Sequence, residues 1–130
     1  MNIEINGVTL QADFMDADFM EAFEAAAQDT KSEINSSKTM KGSVAAQYRA
    51  INQIVENFFD GVFGEGTAES IFQGSKNVMV HLEALARINE AQRDEKKKFN
   101  DLSNRYTQRQ DSFRSMQGHQ KKQNRQNNRL

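Results

Sequence analysis

The chain contains no cysteine and no tryptophan. Without thiols it can form no disulfide, hold no thiolate-bound metal and use no cysteine nucleophile, so an intracellular protein is expected. Nowhere do eighteen apolar residues follow one another, and no membrane-spanning helix is expected. The opening MNIEINGVTL has neither a basic segment nor a long apolar stretch, and therefore reads as no secretory signal. Catalytic signatures are missing as well: no HExxH, GxSxG or carboxylate-rich calcium loop occurs. These gaps lead us to expect no enzyme, no cofactor and no metal site. Apolar residues are also scarce, at 37% of the chain with a mean hydropathy of −0.81. One domain with a modest core fits 130 residues, and much of the chain must lie in water or against a partner.

Acids are absent from one end only. From Arg114 to Leu130 there are five basic residues and no acid, which leaves 12 basic against 18 acidic residues over positions 1–113, a net of −6. The chain is an acidic body with a basic tail. That tail is mostly Gln, Asn, Lys and Arg, with Met116 and Leu130 as its large apolar groups, too few to offset the entropy of ordering it. A flexible segment over 114–130 is expected.

The first twelve residues carry a hairpin signal. Asn6 and Gly7 tolerate the positive φ of a type I′ turn, and Ile3, Ile5, Val8 and Leu10 flank them. Asp16 or Asp18 can cap a first helix over about 17–34, with Glu21 completing a capping box and Phe19, Phe23, Ala26, Ala27, Thr30 and Ile34 on one face. The polar, glycine-containing NSSKTMKGS reads as a loop. Ser43 can cap a second helix over 43–63, in which Val44, Tyr48, Ile51, Val55, Phe58 and Val62 recur at helical spacing. Ile54, Phe59 and Phe63 widen that face, which makes this helix the expected centre of the core.

Next comes FFDGVFGEGTAESIFQGSKN, residues 58–77, with four phenylalanines and four glycines. A Walker loop would need a preceding strand and a Lys-Ser/Thr pair after the last glycine, and a dinucleotide fingerprint would need glycine where Glu69 stands. A structural corner fits better. Gly64 ends the second helix, Gly66 lets the chain turn, and Thr67 caps a short helix over 67–73, with Phe63 and Phe72 expected to face each other. Ser75 or Asn77 then caps a helix from about 76, of which 76–90 closes the body.

From Val78 a 3/4 spacing runs through positions 78, 81, 85, 88, 92, 95, 99, 102, 106, 109 and 113, and seven of these eleven are apolar. An amphipathic helix over 91–113 is expected. Phe99, Leu102, Tyr106 and Phe113 have no other apolar segment of the chain left to cover them, so they are the candidate partner-binding residues. The alternative is that they fold back on the first helices. His81 lies on the apolar face, where a hydrogen-bonded core histidine is expected, and His119 lies among Gln and Lys. The whole reads as a mainly α fold: an N-terminal β-hairpin (2–12), a helical bundle completing a folded body over 1–90, and a long C-terminal helix.

The stretches INGVTLQADFMDADFMEAFEAA and FFDGVFGEGTAESIFQGSKN together resemble the tail assembly chaperones of phages and prophages of low-GC Gram-positive bacteria with long, non-contractile tails. The resemblance covers roughly residues 3–90 and is carried by the hairpin, DADF, and Phe59, Asp60, Phe63, Gly64, Glu65, Gly66, Thr67, Ala68, Ile71, Phe72 and Asn77. It implies a non-enzymatic, mostly helical protein of the host cytoplasm that coats the tape measure protein, recruits tail-tube subunits, self-associates, and is absent from the mature virion. The other class compatible with the residues is a small nucleic-acid-binding or regulatory module, using the 43–72 helices as a helix–turn–helix and the basic tail as an arm. An acidic body would repel phosphates, which disfavours nucleic acid as a partner.

Overall fold

Two strands and four helices follow in chain order: β1 (Asn2–Ile5), β2 (Val8–Gln11), α1 (Ala17–Lys38), α2 (Val44–Phe63), α3 (Thr67–Phe72) and α4 (Val78–Gln117). The protein is mainly α, with an N-terminal two-stranded hairpin and a long C-terminal helix. The computed structural model describes the backbone of residues 1–117 and the side chains of residues 1–108. By contact density the chain divides at position 95 into a unit Met1–Glu95 and a second unit beginning at Lys96.

The hairpin is antiparallel, with Ile3 opposite Leu10 and Ile5 opposite Val8. Asn6 at φ 50° and Gly7 at φ 82° supply the two left-handed residues that a type I′ turn requires. Strand alternation puts Ile3, Ile5 and Leu10 in the core and leaves Asn2, Glu4, Thr9 and Gln11 in water. Asn6 has a second use, since its Nδ2 donates to the carbonyl of Ile71, 3.4 Å away, and ties the turn to α3.

Each helix begins on a side-chain or glycine cap, and several differ from the sequence reading. Asp16, not Asp18, caps α1, accepting from the Phe19 amide at 2.9 Å, so Glu21 completes no box. Helix α1 runs to Lys38 and takes in the first four residues expected to form a loop, Asn35 to Lys38. Small side chains make this possible: Ser37 is buried, and its carbonyl accepts from Gln47 Nε2 of α2 at 3.2 Å. Ser43 caps α2 through the Ala46 amide at 3.0 Å. Gly66, at φ 92°, occupies the N-cap position of α3, and Thr67 is its first helical residue rather than its cap. The capping work falls to Asp60 of α2, whose Oδ1 accepts from the Ala68 amide at 2.8 Å. Of the two candidates for α4, Asn77 is the cap: its Oδ1 accepts from the amides of Met79 (2.8 Å) and Val80 (3.2 Å).

In the unit Met1–Glu95 the core is a connected set of aromatic rings. Phe14 meets Phe19 and Phe23 edge-on at 5.6 and 5.3 Å, Phe23 meets Phe58 at 5.9 Å, and Phe58 meets Phe59 at 5.4 Å. Phe59 then bridges Phe63 (6.1 Å, stacked) and Phe72 (5.7 Å, edge-on), so Phe63 and Phe72 share a neighbour rather than facing each other. Edge and offset contacts of this kind add to the burial of the rings themselves. Ile3, Val55, Phe59 and Ile88 are fully buried, which places the core where β1, α2 and the start of α4 converge. The α2 face is buried only from Ile51 onward: Val44 and Tyr48, in its first turns, are 62% and 45% exposed. No helix among the described residues is long and apolar enough to cross a membrane.

Candidate functional site

Helix α4 contains neither proline nor glycine between Val78 and Gln117, so nothing in its sequence breaks the backbone ladder. Its first part supplies core residues. His81, Ala84, Ile88 and Ala91 are buried, at spacings of 3, 4 and 3. The same spacing continues into the second unit as Phe99, Leu102 and Tyr106, but these are 49%, 60% and 64% exposed. Three large apolar side chains on one helical face are therefore open. Lys96 Nζ lies 5.1 Å above the centre of the Phe99 ring, a cation–π contact. The fourth expected contact residue, Phe113, has its side chain outside the described residues, as do His119 and the greater part of the 114–130 tail.

A second open feature was not legible in the sequence. Between α1 and the first half of α4 runs a groove of about 600 Å³, lined along α1 by Met20, Ala27, Thr30 and Ile34 and across from them by Leu85, Asn89 and Gln92. Met20, Ala27, Ile34 and Leu85 are half-buried, so the walls are apolar yet reachable from water. Sequence periodicity assigned Ala27, Thr30 and Ile34 to the core face of α1, and their side chains do point inward. Glu24 and Lys31 stand at the groove one helical side-chain row away, two turns apart.

The model of a protein family matches residues 6–129, nearly the whole chain. The chain belongs to DUF6673, a family of unknown function. No curated protein and no solved structure matches it. The family's description assigns neither activity nor partner, and the tail-assembly resemblance continues to rest on the residues quoted for it.

Two polar arrangements in this DUF6673 chain are accounted for by packing. His81 is fully buried and stacks on Phe72, with ring centres 4.0 Å apart and planes 9° from parallel. Its Nδ1 lies 2.8 Å from the Asn77 carbonyl and its Nε2 lies 2.7 Å from Glu56 Oε2. Both ring nitrogens therefore lie within hydrogen-bond reach of an accepting oxygen. The result is a clasp fastening the start of α4 to α2. Alongside it Asn52 Nδ2 donates to the Lys76 carbonyl at 2.8 Å and holds the approach to α4. The glycine corner is also filled from within, because the Asp60 carboxylate already occupies the N-terminus of α3 where a phosphate would have to sit. Among the described residues no group of three or more His, Asp or Glu side chains is placed to hold a metal ion.

Proposed function

We propose that this protein is a tail assembly chaperone of a phage or prophage with a long, non-contractile tail. It acts in the host cytoplasm, holds the tape measure protein, recruits tail-tube subunits, and leaves before the virion is complete. The observation that carries the reading is the exposed stripe of Phe99, Leu102 and Tyr106 along one face of α4. A helix that ends its own core contacts and then repeats the same apolar spacing in water is suited to laying that face against another helix. The resemblance of residues 3–90 to such chaperones supplies the identity of the client: a tape measure protein, long and helical.

The nucleic-acid alternative would use α3 as the reading helix. That helix is six residues long, buries Ala68, Ile71 and Phe72, and offers phosphates the acid Glu69 and no base. That helix therefore offers phosphates no surface of the right sign.

The test is co-expression with a fragment of the tape measure protein encoded alongside it. The wild type is expected to co-purify with the fragment, and the double variant Phe99→Ser, Leu102→Ser to lose it while keeping the melting temperature of the Met1–Glu95 unit. Retention of the fragment by the double variant, or no capture by the wild type, sinks the reading.

A further inference from the structure

We infer that the hairpin turn is a self-modifying site: Asn6 deamidates through the backbone nitrogen of Gly7, and the product unties the hairpin from α3. The inference does not rest on the proposed function.

Asparagine is chemically labile, and its deamidation needs a backbone nitrogen that is free to attack the side-chain amide. Asn6 is the one asparagine in the sequence followed by glycine, and both residues are exposed. In a two-residue turn the ladder closes through the flanking pair, Ile5 and Val8, and among the described residues no hydrogen bond engages the Gly7 N–H. A Cβ at Gly7 would meet nothing within 4 Å, so the turn has room to swing that nitrogen toward Asn6 Cγ. The amide itself is lightly held. Its one bond, from Nδ2 to the Ile71 carbonyl, is 3.4 Å long, beyond the usual range for N–H to oxygen.

In the reaction Gly7 N gives up its proton and adds to Asn6 Cγ. The new C–N bond closes a succinimide ring, the Cγ–Nδ2 bond breaks, and ammonia leaves carrying one proton more than the amide nitrogen held. Water then opens the ring at either carbonyl, which yields aspartate or, where the chain now runs through the side chain, isoaspartate. Solvent is the only co-reactant. Both products lose the Nδ2 donor and set an accepting carboxylate against the accepting Ile71 carbonyl. Isoaspartate also adds a methylene to the backbone of a turn whose two left-handed residues fix the register of Ile3 against Leu10. Ile3 and Leu10 are core residues, so a loosened turn weakens the Met1–Glu95 unit.

Asp60-Gly61 is the internal control. It has the same glycine neighbour but lies inside α2, where the Gly61 N–H belongs to the helical ladder and the Asp60 carboxylate accepts from the Ala68 amide at 2.8 Å. No isoaspartate should form there.

The test uses the full chain, incubated at physiological temperature in buffers of rising pH and then digested. Ammonia release should match, mole for mole, the mass gain of amide-to-acid hydrolysis, and the gain should be confined to the peptide carrying Asn6. Its rate should rise with pH, because the attacking nitrogen must first lose its proton. Gly7→Asn keeps a residue that tolerates positive φ but shields the nitrogen, and should slow the reaction at least about tenfold. The modified fraction, separated by its added negative charge, should melt below the unmodified protein, and so should Asn6→Asp. An absence of mass gain at Asn6 overturns the inference. So does a gain shared with the helical Asn35 and Asn57, which would mark the chemistry of an unfolded chain, or isoaspartate at position 60. A modified fraction that melts with the unmodified protein overturns it as well, since the hairpin would then not depend on the Asn6 amide.

Discussion

At Gly64 the backbone stands at φ 114°, ψ 150°, a region that a side chain on Cα strongly disfavours. A Cβ built there would meet nothing within 4 Å, so any cost of substitution is backbone strain and not collision. Gly64→Ala should therefore cost about 1–3 kcal/mol in thermal or denaturant unfolding. Gly61 makes the control, being equally open to a Cβ but inside α2 with ordinary helical φ. There alanine should stabilise by about 0.5–1 kcal/mol, since it removes unfolded-state freedom at no native cost. Equal effects at the two positions would show that the corner does not depend on glycine's conformational range. A different residue-scale test concerns the clasp. Glu56→Ala strands the buried Nε2 of His81 without its 2.7 Å partner and should cost about 1–3 kcal/mol. The same truncation at the exposed Glu83, on α4, should stay within about 0.5 kcal/mol.

Elements show which parts of the fold could be read in advance. The Asn6-Gly7 turn, the Ser43 cap and the end of α2 at Gly64 were legible because each depends on one residue's local chemistry. The faces of α1, α2 and the first half of α4 were legible as well, since burial repeats with the helix. What periodicity cannot report is how far the neighbouring element extends. The α2 stripe continues through Val44 and Tyr48, yet burial on that face begins at Ile51. The same limit hid the groove, which is formed by residues of two elements far apart in the sequence, α1 and α4. It hid the true cap of α3 too, because Asp60 is eight residues from the amide it serves and follows no local motif. Two aromatic residues on one face of α2 measure this limit directly. Phe58→Ala should cost about 3–5 kcal/mol, as its ring is 3% exposed among Phe23 and Phe59. Tyr48→Ala, 45% exposed, should change stability by no more than about 0.5 kcal/mol. Comparable losses at both positions would mean that the first turns of α2 are covered by something other than this chain.

For the molecule as a whole, charge separates the chaperone reading from the nucleic-acid one. Positions 1–113 carry a net of −6, and the basic residues that oppose it lie from Arg114 onward, four of them (Lys121, Lys122, Arg125 and Arg129) after the last described helix. A nucleic-acid arm made of those four would neutralise at most about four phosphates, and each contributes a little under one unit to the salt slope. Such an arm binds weakly at low salt and releases as ionic strength approaches that of the cell, the more so when the body it belongs to is acidic. Deleting residues 118–130 removes Leu130 as the sole large apolar side chain, so little burial is lost and the melting temperature should be unchanged. Fluorescence anisotropy with short single- and double-stranded DNA and RNA should show no binding by the full chain at physiological salt. Deletion should leave capture of a tape measure fragment intact, because the stripe at Phe99, Leu102 and Tyr106 remains. Salt-resistant nucleic-acid binding that disappears on deletion would transfer the functional surface from the stripe to the tail, and with it the protein from the first function class to the second.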